Sequence, residues 1–196
     1  IRFFHQAALA GDPRLEDFFT EEYTLNHLIQ TYPKPYVAFM DGIVMGGGMG
    51  ISQGARVRIV TERTKMAMPE TNIGLFPDVG GGFFLGRCPG RIGEYLALTG
   101  NVIGAQDALA AGLADVVLAS KELPDLWGSL ARLGADALPA QVDADVAAAQ
   151  STLARSAAQI DHFFALDSVP AIVHTLEADA SDWARDTAKL LRQRSP

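Results

Sequence analysis

The chain has 196 residues, of which 48% are hydrophobic and 20% charged, a balance typical of a globular protein with its own core. The formal net charge of −7 at pH 7 argues against a nucleic-acid partner, because phosphate binding needs clustered lysine and arginine. No apolar run reaches the length of a membrane helix, and the single cysteine, Cys88, cannot form an internal disulfide, so we predict no membrane association and a reducing, cytoplasmic location.

Periodic apolar patterns predict helices and strands in the first half of the chain. Residues 14–32 repeat apolar side chains at helical spacing and end at a Pro-Lys-Pro sequence, which predicts a long helix. The stretch YVAFMD, residues 36–41, predicts a short buried strand. Residues 46–55, GGGMGISQGA, can open a helix after that strand. Two further strands are predicted at residues 57–62 and 65–68.

Short helices and a strand are predicted after the proline- and glycine-rich loop of residues 68–82. Residues 91–100 and 105–114 predict two helices, each with a glycine near its end, and residues 115–118 predict a brief strand. The remainder is rich in alanine and has helical periodicity. We expect the segment 133–149 to be mobile, because alanine and aspartate offer little surface to bury. Strands that alternate with helices indicate an α/β layered fold.

The glycine run at residues 46–48 allows two interpretations. Glycines between a strand and a helix let backbone N–H groups approach a phosphate or an oxyanion, and they also let the helix pack closely on the strand. The dinucleotide-binding fingerprint fails because Ile51 falls where its last glycine belongs, and the Gly-Lys-Ser/Thr ending of a P-loop is absent. The residues alone leave both roles open.

Other residues with chemical potential have structural explanations. Ser52 lies in a G-x-S-x-G sequence, but it is too far beyond the strand to be a nucleophile elbow, so a helix serine is expected. Cys88 precedes Pro89 and has no evident base, which favours a structural thiol. No metal site is predicted, because the four histidines are scattered and Asp143 and Asp145 lack the following Gly and Glu of a calcium loop.

Two acids, Glu70 and Asp78, lie in the loop MPETNIGLFPDVGGG, residues 68–82. Acids in loops are usually solvated, yet apolar residues flank both of these. Apolar surroundings raise the pKa of a carboxyl group, and two acids that face each other titrate separately, one protonated and one ionised. Because Pro69 and Pro77 stiffen the loop and its glycines let it turn, it can direct both acids into one small space. Such a site suits acid–base or nucleophilic catalysis.

These motifs together resemble a known family. The combination of EEY at residues 21–23, KPYVA at 34–38, MGGG at 45–48 and the loop at 68–82 is similar to the crotonase (enoyl-CoA hydratase/isomerase) superfamily, and more narrowly to its 3-hydroxyisobutyryl-CoA hydrolase branch. The similarity is strong from about residue 15 to 117. It implies a crotonase-like ββα spiral core followed by a helical C-terminal region.

The resemblance implies a role for each site residue. Gly47 matches the position whose backbone N–H completes an oxyanion hole, where it would stabilise negative charge on a thioester oxygen, and Gly46 lies beside it in the substrate site. Glu70 matches the catalytic glutamate of the superfamily, and Asp78 matches the aspartate of the hydrolase branch. Glu22 matches a further acid near the acyl group.

One departure from the wider superfamily narrows the reaction. Its hydratases use two glutamates, and the position of the first, three residues after the oxyanion glycine, is Gly50 here. A glycine cannot transfer a proton, so the resemblance implies hydrolysis of a short β-hydroxyacyl-CoA thioester, 3-hydroxyisobutyryl-CoA foremost. An enoyl-CoA hydratase/isomerase and a non-catalytic acyl-CoA-binding module stay as alternatives.

The resemblance also implies a longer protein. Residues 1–118 correspond to the crotonase core without the family's AGGD loop, which supplies a second oxyanion N–H, and residues 119–196 correspond to a helical region without its last helices. Coenzyme A enters as part of the substrate, and no metal or redox cofactor is implied. The context would be valine catabolism, in the cytoplasm or, in a eukaryote, in the mitochondrial matrix. A homo-oligomer, trimer or hexamer, is an open expectation.

Overall fold

The computed structural model of the protein describes residues 2–195, and of Arg2, Ala144 and Asp145 it describes the backbone alone. Strands and helices alternate as far as Val117, and in the rest of the described chain only helices follow. The five strands of this part are β1 (Val37–Met40), β2 (Ile43–Met45), β3 (Val57–Val60), β4 (Lys65–Ala67) and β5 (Val116–Val117).

The α-helices within residues 2–195 number twelve, and most of them are short. The first six accompany the strands: α1 (Arg2–Ala10), α2 (Arg14–Gln30), α3 (Gly47–Ser52), α4 (Gly81–Leu85), α5 (Ile92–Thr99) and α6 (Ala105–Ala110). The last six follow the strands: α7 (Leu123–Leu133), α8 (Ala144–Gln150), α9 (Thr152–Arg155), α10 (Ala157–Phe164), α11 (Val169–Ala178) and α12 (Asp182–Arg192).

Two ββα turns stack on each other and form the expected spiral. The first turn consists of β1, β2 and α3, and the second consists of β3, β4 and α4. Strand β1 pairs with β3 in parallel, with Val37 opposite Val57, and β2 pairs with β4 in parallel, with Ile43 opposite Lys65. Strand β5 joins β3 to give a three-stranded sheet in the order β1-β3-β5. The predicted α/β fold with a crotonase-like spiral is confirmed.

Strand β2 and helix α4 escaped the sequence patterns for physical reasons. Strand β2 has three residues, of which Val44 is buried while Ile43 is 78% exposed, so it leaves no periodic signal. Helix α4 has the sequence GGFFL, and glycine disfavours helices in isolation. Packing therefore decides the conformation of both segments.

An ion pair fixes the start of β3 against the segment that leads into β5. The guanidinium of Arg58 donates from Nε to Asp115 Oδ2 at 2.9 Å and from Nη2 to Asp115 Oδ1 at 2.8 Å. Both side chains are largely buried, with exposed fractions of 17% and 15%. A two-point pair of this kind fixes orientation as well as distance. It therefore sets the register of the central strand.

Helices from the end of the chain share a core with the spiral. One cluster of buried side chains extends from Ala38 to Leu191, so residues on both sides of position 118 belong to it. Tyr95 of α5 contacts Phe164 of α10 and Trp183 of α12, with ring centroids 5.3 Å and 6.1 Å apart. This cluster therefore joins the strand-containing part to the later helices, and the predicted division into two regions stays a prediction.

The segment 133–149, which we expected to be mobile, makes some fixed contacts. The backbone N–H of Val142 donates to the carbonyl of Asp115 at 2.9 Å, and Ala147 is 2% exposed. The side chains of residues 144 and 145 lie outside the described part. The mobility of the segment stays a prediction.

A close crossing between α4 and α5 makes Gly93 sensitive to substitution. A Cβ at Gly93 would lie 2.0 Å from the carbonyl oxygen of Leu85. We expect Gly93→Ala to lower the free energy of unfolding by about 2–3 kcal/mol, because two backbones must separate. Gly82→Ala is the matched control, since a Cβ there meets nothing within 4 Å and alanine favours the helix. Urea unfolding of both variants checks the prediction, and equal stability would contradict it.

Candidate active site

The glycine run forms a tight turn between β2 and α3. Gly46 has φ +53°, a left-handed conformation that glycine adopts without strain, and its carbonyl accepts from Met49 N–H at 2.8 Å and Gly50 N–H at 3.1 Å. Gly47 is the first residue of α3, so the helix offers no carbonyl to its N–H. That N–H is available to an acceptor outside the helix.

Two carboxylates lie against this turn, with Glu70 beside Gly46 and Glu22 beside Gly47. A Cβ at Gly46 would be 2.8 Å from Glu70 Oε1, and a Cβ at Gly47 would be 3.1 Å from Glu22 Oε1. Any larger residue at Gly46 would collide with Glu70, and one at Gly47 would press on Glu22. The two glycines therefore form the turn and also leave room for the acidic side chains to lie close to it.

Glu70 is buried at the start of a 3₁₀ turn, Glu70–Asn72, that follows β4. Its side chain is 7% exposed, and Oε2 has no hydrogen-bond partner among the described residues. Burial raises the pKa of Glu70 above its ordinary value; its own backbone N–H opposes this, and the charge of Asp78 adds to it. A buried carboxylate with one unpaired oxygen costs folding free energy, and such groups are characteristic of functional sites.

The 3₁₀ turn that carries Glu70 is held by residues from the end of the described chain. Arg194 donates from Nε to the carbonyl of Thr99 at 2.6 Å and from Nη1 to Asn72 Oδ1. The backbone N–H of Ser195 donates to the carbonyl of Thr71 at 2.8 Å. Sequence reasoning missed Arg194, because its contacts depend on the packing of α12 and no motif signals them.

Asp78 is half-buried and hydrogen-bonded to helix α2. Tyr23 Oη donates to Asp78 Oδ2 at 2.9 Å, across 55 residues of sequence. Burial, followed by this hydrogen bond and the neighbouring acidic charges, raises the pKa of Tyr23 to about 12. Tyr23 therefore keeps its proton and stays a donor at physiological pH. Sequence reasoning assigned Tyr23 no role of its own, although this residue directly follows Glu22.

The backbone immediately after Asp78 is strained. Val79 has φ 43°, and within residues 2–195 no other non-glycine residue has a positive φ. A β-branched residue in this region is a genuine outlier that the surrounding packing must enforce. The side chain of Val79 is 4% exposed and lies over Gly50, where an added Cβ would be 2.6 Å from Val79 Cβ. The strain thus fixes the direction of the loop beside Asp78.

A cleft of about 600 Å³ opens between α2, α3 and the loop after the 3₁₀ turn. Asp78, Tyr23 and Asn26 contribute polar groups to its lining, and Phe76 and Phe83 contribute apolar surface. Glu22, Glu70 and Gly47 lie outside this lining, against the glycine turn. Asp78 nevertheless interacts electrostatically with both glutamates. Its negative charge raises the pKa of Glu70 and of Glu22, although burial is the larger cause for each. The predicted acids therefore form one cluster, with Asp78 on the side of the cleft.

Helix α2 supplies Glu22, Tyr23 and Asn26, and each of its residues keeps some exposed surface. It is supported by α1, whose Phe4 contacts Phe18 and Phe19 with ring centroids 4.7 Å and 5.8 Å apart. This ring cluster fixes the first half of α2. The predicted helix over residues 14–32 is confirmed, and it places one side of the candidate site.

The positions of Ser52 and Cys88 fit structural roles and not catalytic ones. Ser52 is the last residue of α3, is 5% exposed and donates to the carbonyl of Met49 at 3.3 Å. Cys88 is buried, and burial raises its pKa to about 11, which suppresses the thiolate. Among the residues described here, no three histidine, cysteine or acidic side chains are arranged to hold a metal ion. Of the helices between residues 2 and 195, none has the length and apolar character needed to cross a bilayer.

Comparisons with known proteins agree with this architecture. A 3-hydroxyisobutyryl-CoA hydrolase from Xenopus tropicalis, described as mitochondrial, is 43% identical over 205 residues, covering 100% of this chain and 53% of the relative. The small ribosomal subunit protein mS47 of Neurospora crassa is 40% identical over 213 residues, covering 95% of this chain and 41% of that protein.

A solved structure also aligns over nearly the whole chain. The crystal structure of an enoyl-CoA hydratase from Rhodobacter sphaeroides 2.4.1 is 40% identical, with a TM-score of 0.88 over 98% of this chain and 55% of that one. The chain thus spans about half the length of the relatives it matches. The family model described as enoyl-CoA hydratase/isomerase matches residues 1–196, and together with the stacked ββα turns and the glycine turn between two carboxylates it shows that the chain belongs to that family.

Proposed function

We propose that the protein hydrolyses a short β-hydroxyacyl-CoA thioester, 3-hydroxyisobutyryl-CoA, to the free acid and coenzyme A. The observation that carries the proposal is the buried Glu70 carboxylate, which has a raised pKa, an unpaired oxygen and a glycine turn against it. The names of relatives such as the Xenopus tropicalis hydrolase support the choice of substrate.

The glycine turn would bind the thioester oxygen. The N–H of Gly47 at the start of α3 is directed away from the helix and can donate to a carbonyl oxygen. The hydrogen bond from this N–H strengthens as negative charge develops on the oxygen in the tetrahedral transition state. Gly46 supplies the space that lets the reacting carbon approach Glu70. Gly47 thus stabilises charge, and Gly46 permits the contact.

Glu70 can break the thioester by two routes, as a general base or as a nucleophile. As a general base it takes a proton from water, the water oxygen bonds to the carbonyl carbon, the C–S bond breaks, and the thiolate takes the proton back. As a nucleophile it bonds to the carbonyl carbon and expels the thiolate, and water then hydrolyses the mixed anhydride. Trapping with hydroxylamine during turnover separates the routes, because only the anhydride route gives a Glu70 hydroxamate.

The other two acids would hold the substrate and its protons. Asp78 lies on the cleft, where it can accept a hydrogen bond from the substrate hydroxyl, manage a proton or orient the attacking water. Glu22 lies against Gly47, and burial raises its pKa. A protonated Glu22 could donate a hydrogen bond close to the acyl group. The three acids therefore have distinct positions around the glycine turn.

An enoyl-CoA hydratase is the first alternative, and the Rhodobacter sphaeroides structure carries that name. Hydration would need a second acid near Gly50, where Val79 occupies the space. We expect Gly50→Glu to lower the free energy of unfolding by about 1–3 kcal/mol and to gain no hydration of crotonyl-CoA, because the Val79 backbone cannot yield cheaply. Chemical unfolding and loss of the enoyl absorbance measure the two effects. Hydration by a stable variant would revive the alternative.

A non-catalytic assembly module is the second alternative, favoured by the likeness to mS47 of Neurospora crassa. A scaffold of this kind would need the fold and its surface, and it would not need a paired set of acids at a glycine turn. It would release no thiol from any acyl-CoA, and substitution of Glu70 would change no turnover.

The deciding experiment is a thiol-release assay on the complete protein. We expect free thiol from 3-hydroxyisobutyryl-CoA and 3-hydroxypropionyl-CoA, and none from crotonyl-CoA beyond the background rate. Conversion of crotonyl-CoA without free thiol would favour the hydratase. Absence of turnover with all three thioesters would favour the assembly module.

The wider setting follows from the proposed reaction. Hydrolysis of 3-hydroxyisobutyryl-CoA belongs to valine catabolism, and it needs no metal or redox cofactor, since coenzyme A enters with the substrate. The mitochondrial names of vertebrate relatives support a location in the mitochondrial matrix if the source is a eukaryote, and the cytoplasm is proposed otherwise. Assembly into a trimer or hexamer stays a prediction.

A further inference from the structure

An unpaired amide on helix α2 lies beside the proposed reaction centre without a role in it. Asn26 Oδ1 and Nδ2 are both buried, and neither has a hydrogen-bond partner among the described residues. Leaving a buried polar group unpaired costs about 1–3 kcal/mol, so an orphaned donor and acceptor on one side chain needs an explanation.

The position of Asn26 connects it to the cleft. It follows Tyr23 by three residues, so the two side chains share a face of α2, and both line the cleft with Asp78. A Cβ at Gly50 would lie 3.1 Å from Asn26 Oδ1, so the amide rests against a glycine of α3. Asn26 therefore lines the same cleft as Tyr23 and Asp78.

The chemistry of an amide matches a hydroxyl group. An amide offers one acceptor and two donor hydrogens, whereas the ionised carboxylates nearby can only accept. A hydroxyl both donates and accepts, so an amide can satisfy it fully. Unlike an acid, an amide neither gives nor takes a proton at neutral pH, and it can hold a β-hydroxyl without promoting its loss as water.

We propose that Asn26 binds the β-hydroxyl group of the acyl chain and so selects hydroxyacyl thioesters over their deoxy counterparts. This inference rests on the proposed thioester hydrolysis. Both amide atoms are buried, so the side chain must turn toward the cavity that it already lines. The hydrogen bonds gained with the substrate favour that turn, because the orphaned groups lose nothing by leaving their present positions.

Asp78 is the competing partner for the same hydroxyl. One of its oxygens, Oδ2, already accepts the hydrogen bond from Tyr23. Asp78 also cannot donate while it is ionised, so it can satisfy at most the hydroxyl hydrogen. Asn26 can supply the remaining donor. Substitutions of Asn26 and of Asp78 are therefore expected to change the selectivity for the hydroxyl group in different ways.

The test compares two thioesters that differ by one hydroxyl, 3-hydroxyisobutyryl-CoA and isobutyryl-CoA, with the complete protein. Asn26→Leu keeps the number and branching of the side-chain heavy atoms and removes its hydrogen bonds. We expect this variant to reduce the ratio of kcat/KM values for the two substrates by at least about 10-fold, with hydrolysis of isobutyryl-CoA retained. Asn26→Ala should have the same effect. Thr24→Ala is the control, because Thr24 is exposed and bonds to the carbonyl of Thr20 in its own helix.

Thermal unfolding separates a binding role from a structural one. Removal of an orphaned donor and acceptor should leave the melting temperature of Asn26→Leu equal or higher, because the folded protein loses no hydrogen bond. An unchanged selectivity ratio, or an equal loss with both thioesters, would overturn the inference while hydrolysis by the wild type upholds the proposed function. A wild type that releases no thiol from either substrate would overturn both.

Discussion

Glu70→Gln is expected to lower kcat for thiol release by at least about 1,000-fold, with little change in KM. Glutamine has the shape of glutamate, but it can neither accept a proton from water nor attack a carbonyl carbon. The loss should be larger than for any other acid of the cluster, because Glu70 is the buried carboxylate against the glycine turn. Steady-state thiol release measures it, with Glu21→Gln as the control, since Glu21 is an exposed acid on the same helix as Glu22.

The pH dependence of the wild type tests the same assignment. Either route requires an ionised Glu70, so the rate should fall as the pH is lowered through its pKa. Because burial raises that pKa, the midpoint of the acidic limb is expected above the ordinary glutamate value of about 4.3. A limb at or below that value would contradict the assignment of Glu70 as the reacting group.

The ionisation of Glu70 that activity requires should lower the stability of the folded protein. The folded state binds the Glu70 proton more tightly than the unfolded state, so the wild type loses stability as the pH rises from the unfolded pKa through the folded one. Glu70→Gln removes this penalty and should raise the free energy of unfolding at neutral pH by about 1 kcal/mol. The gain should disappear below about pH 4, where both states are protonated. Thermal unfolding at both pH values checks this, and a less stable variant at pH 7 would contradict it.

The acids and the glycine of the candidate site were easier to single out from the sequence than the elements that hold them, and their roles stay predictions. Glu70 and Asp78 were recognisable because two acids in an apolar, glycine-rich loop are unusual, and Gly47 was recognisable from its motif. Strand β2 was not, because Asp41 and Gly42 interrupt the apolar run before it and its first residue, Ile43, is exposed. The hydrogen bond from Tyr23 to Asp78 joins residues 55 positions apart, so it exists only once α2 has packed beside the loop. The strain at Val79 likewise depends on the tertiary packing around it.

Asp78→Asn is expected to lower kcat by about 100-fold, because the amide cannot handle a proton or hold water as an ionised carboxylate does. Tyr23→Phe should lower kcat by about 10-fold, since Asp78 then loses the donor that orients its Oδ2. Phenylalanine preserves the ring and removes only the hydroxyl. Tyr32→Phe is the control, because it removes an exposed phenol just beyond the end of the same helix.

A double-mutant cycle shows whether Tyr23 acts through Asp78. If the phenol serves only to position that carboxylate, Tyr23→Phe should have no further effect on kcat in the Asp78→Asn background. Ultraviolet titration gives an independent reading, because Asp78 contributes to the Tyr23 pKa of about 12 and its replacement by asparagine should lower that pKa. Additive losses in the cycle, together with an unchanged tyrosine titration, would mean that the two side chains touch without acting together, and the loop geometry after Asp78 would have to be explained by Val79 alone.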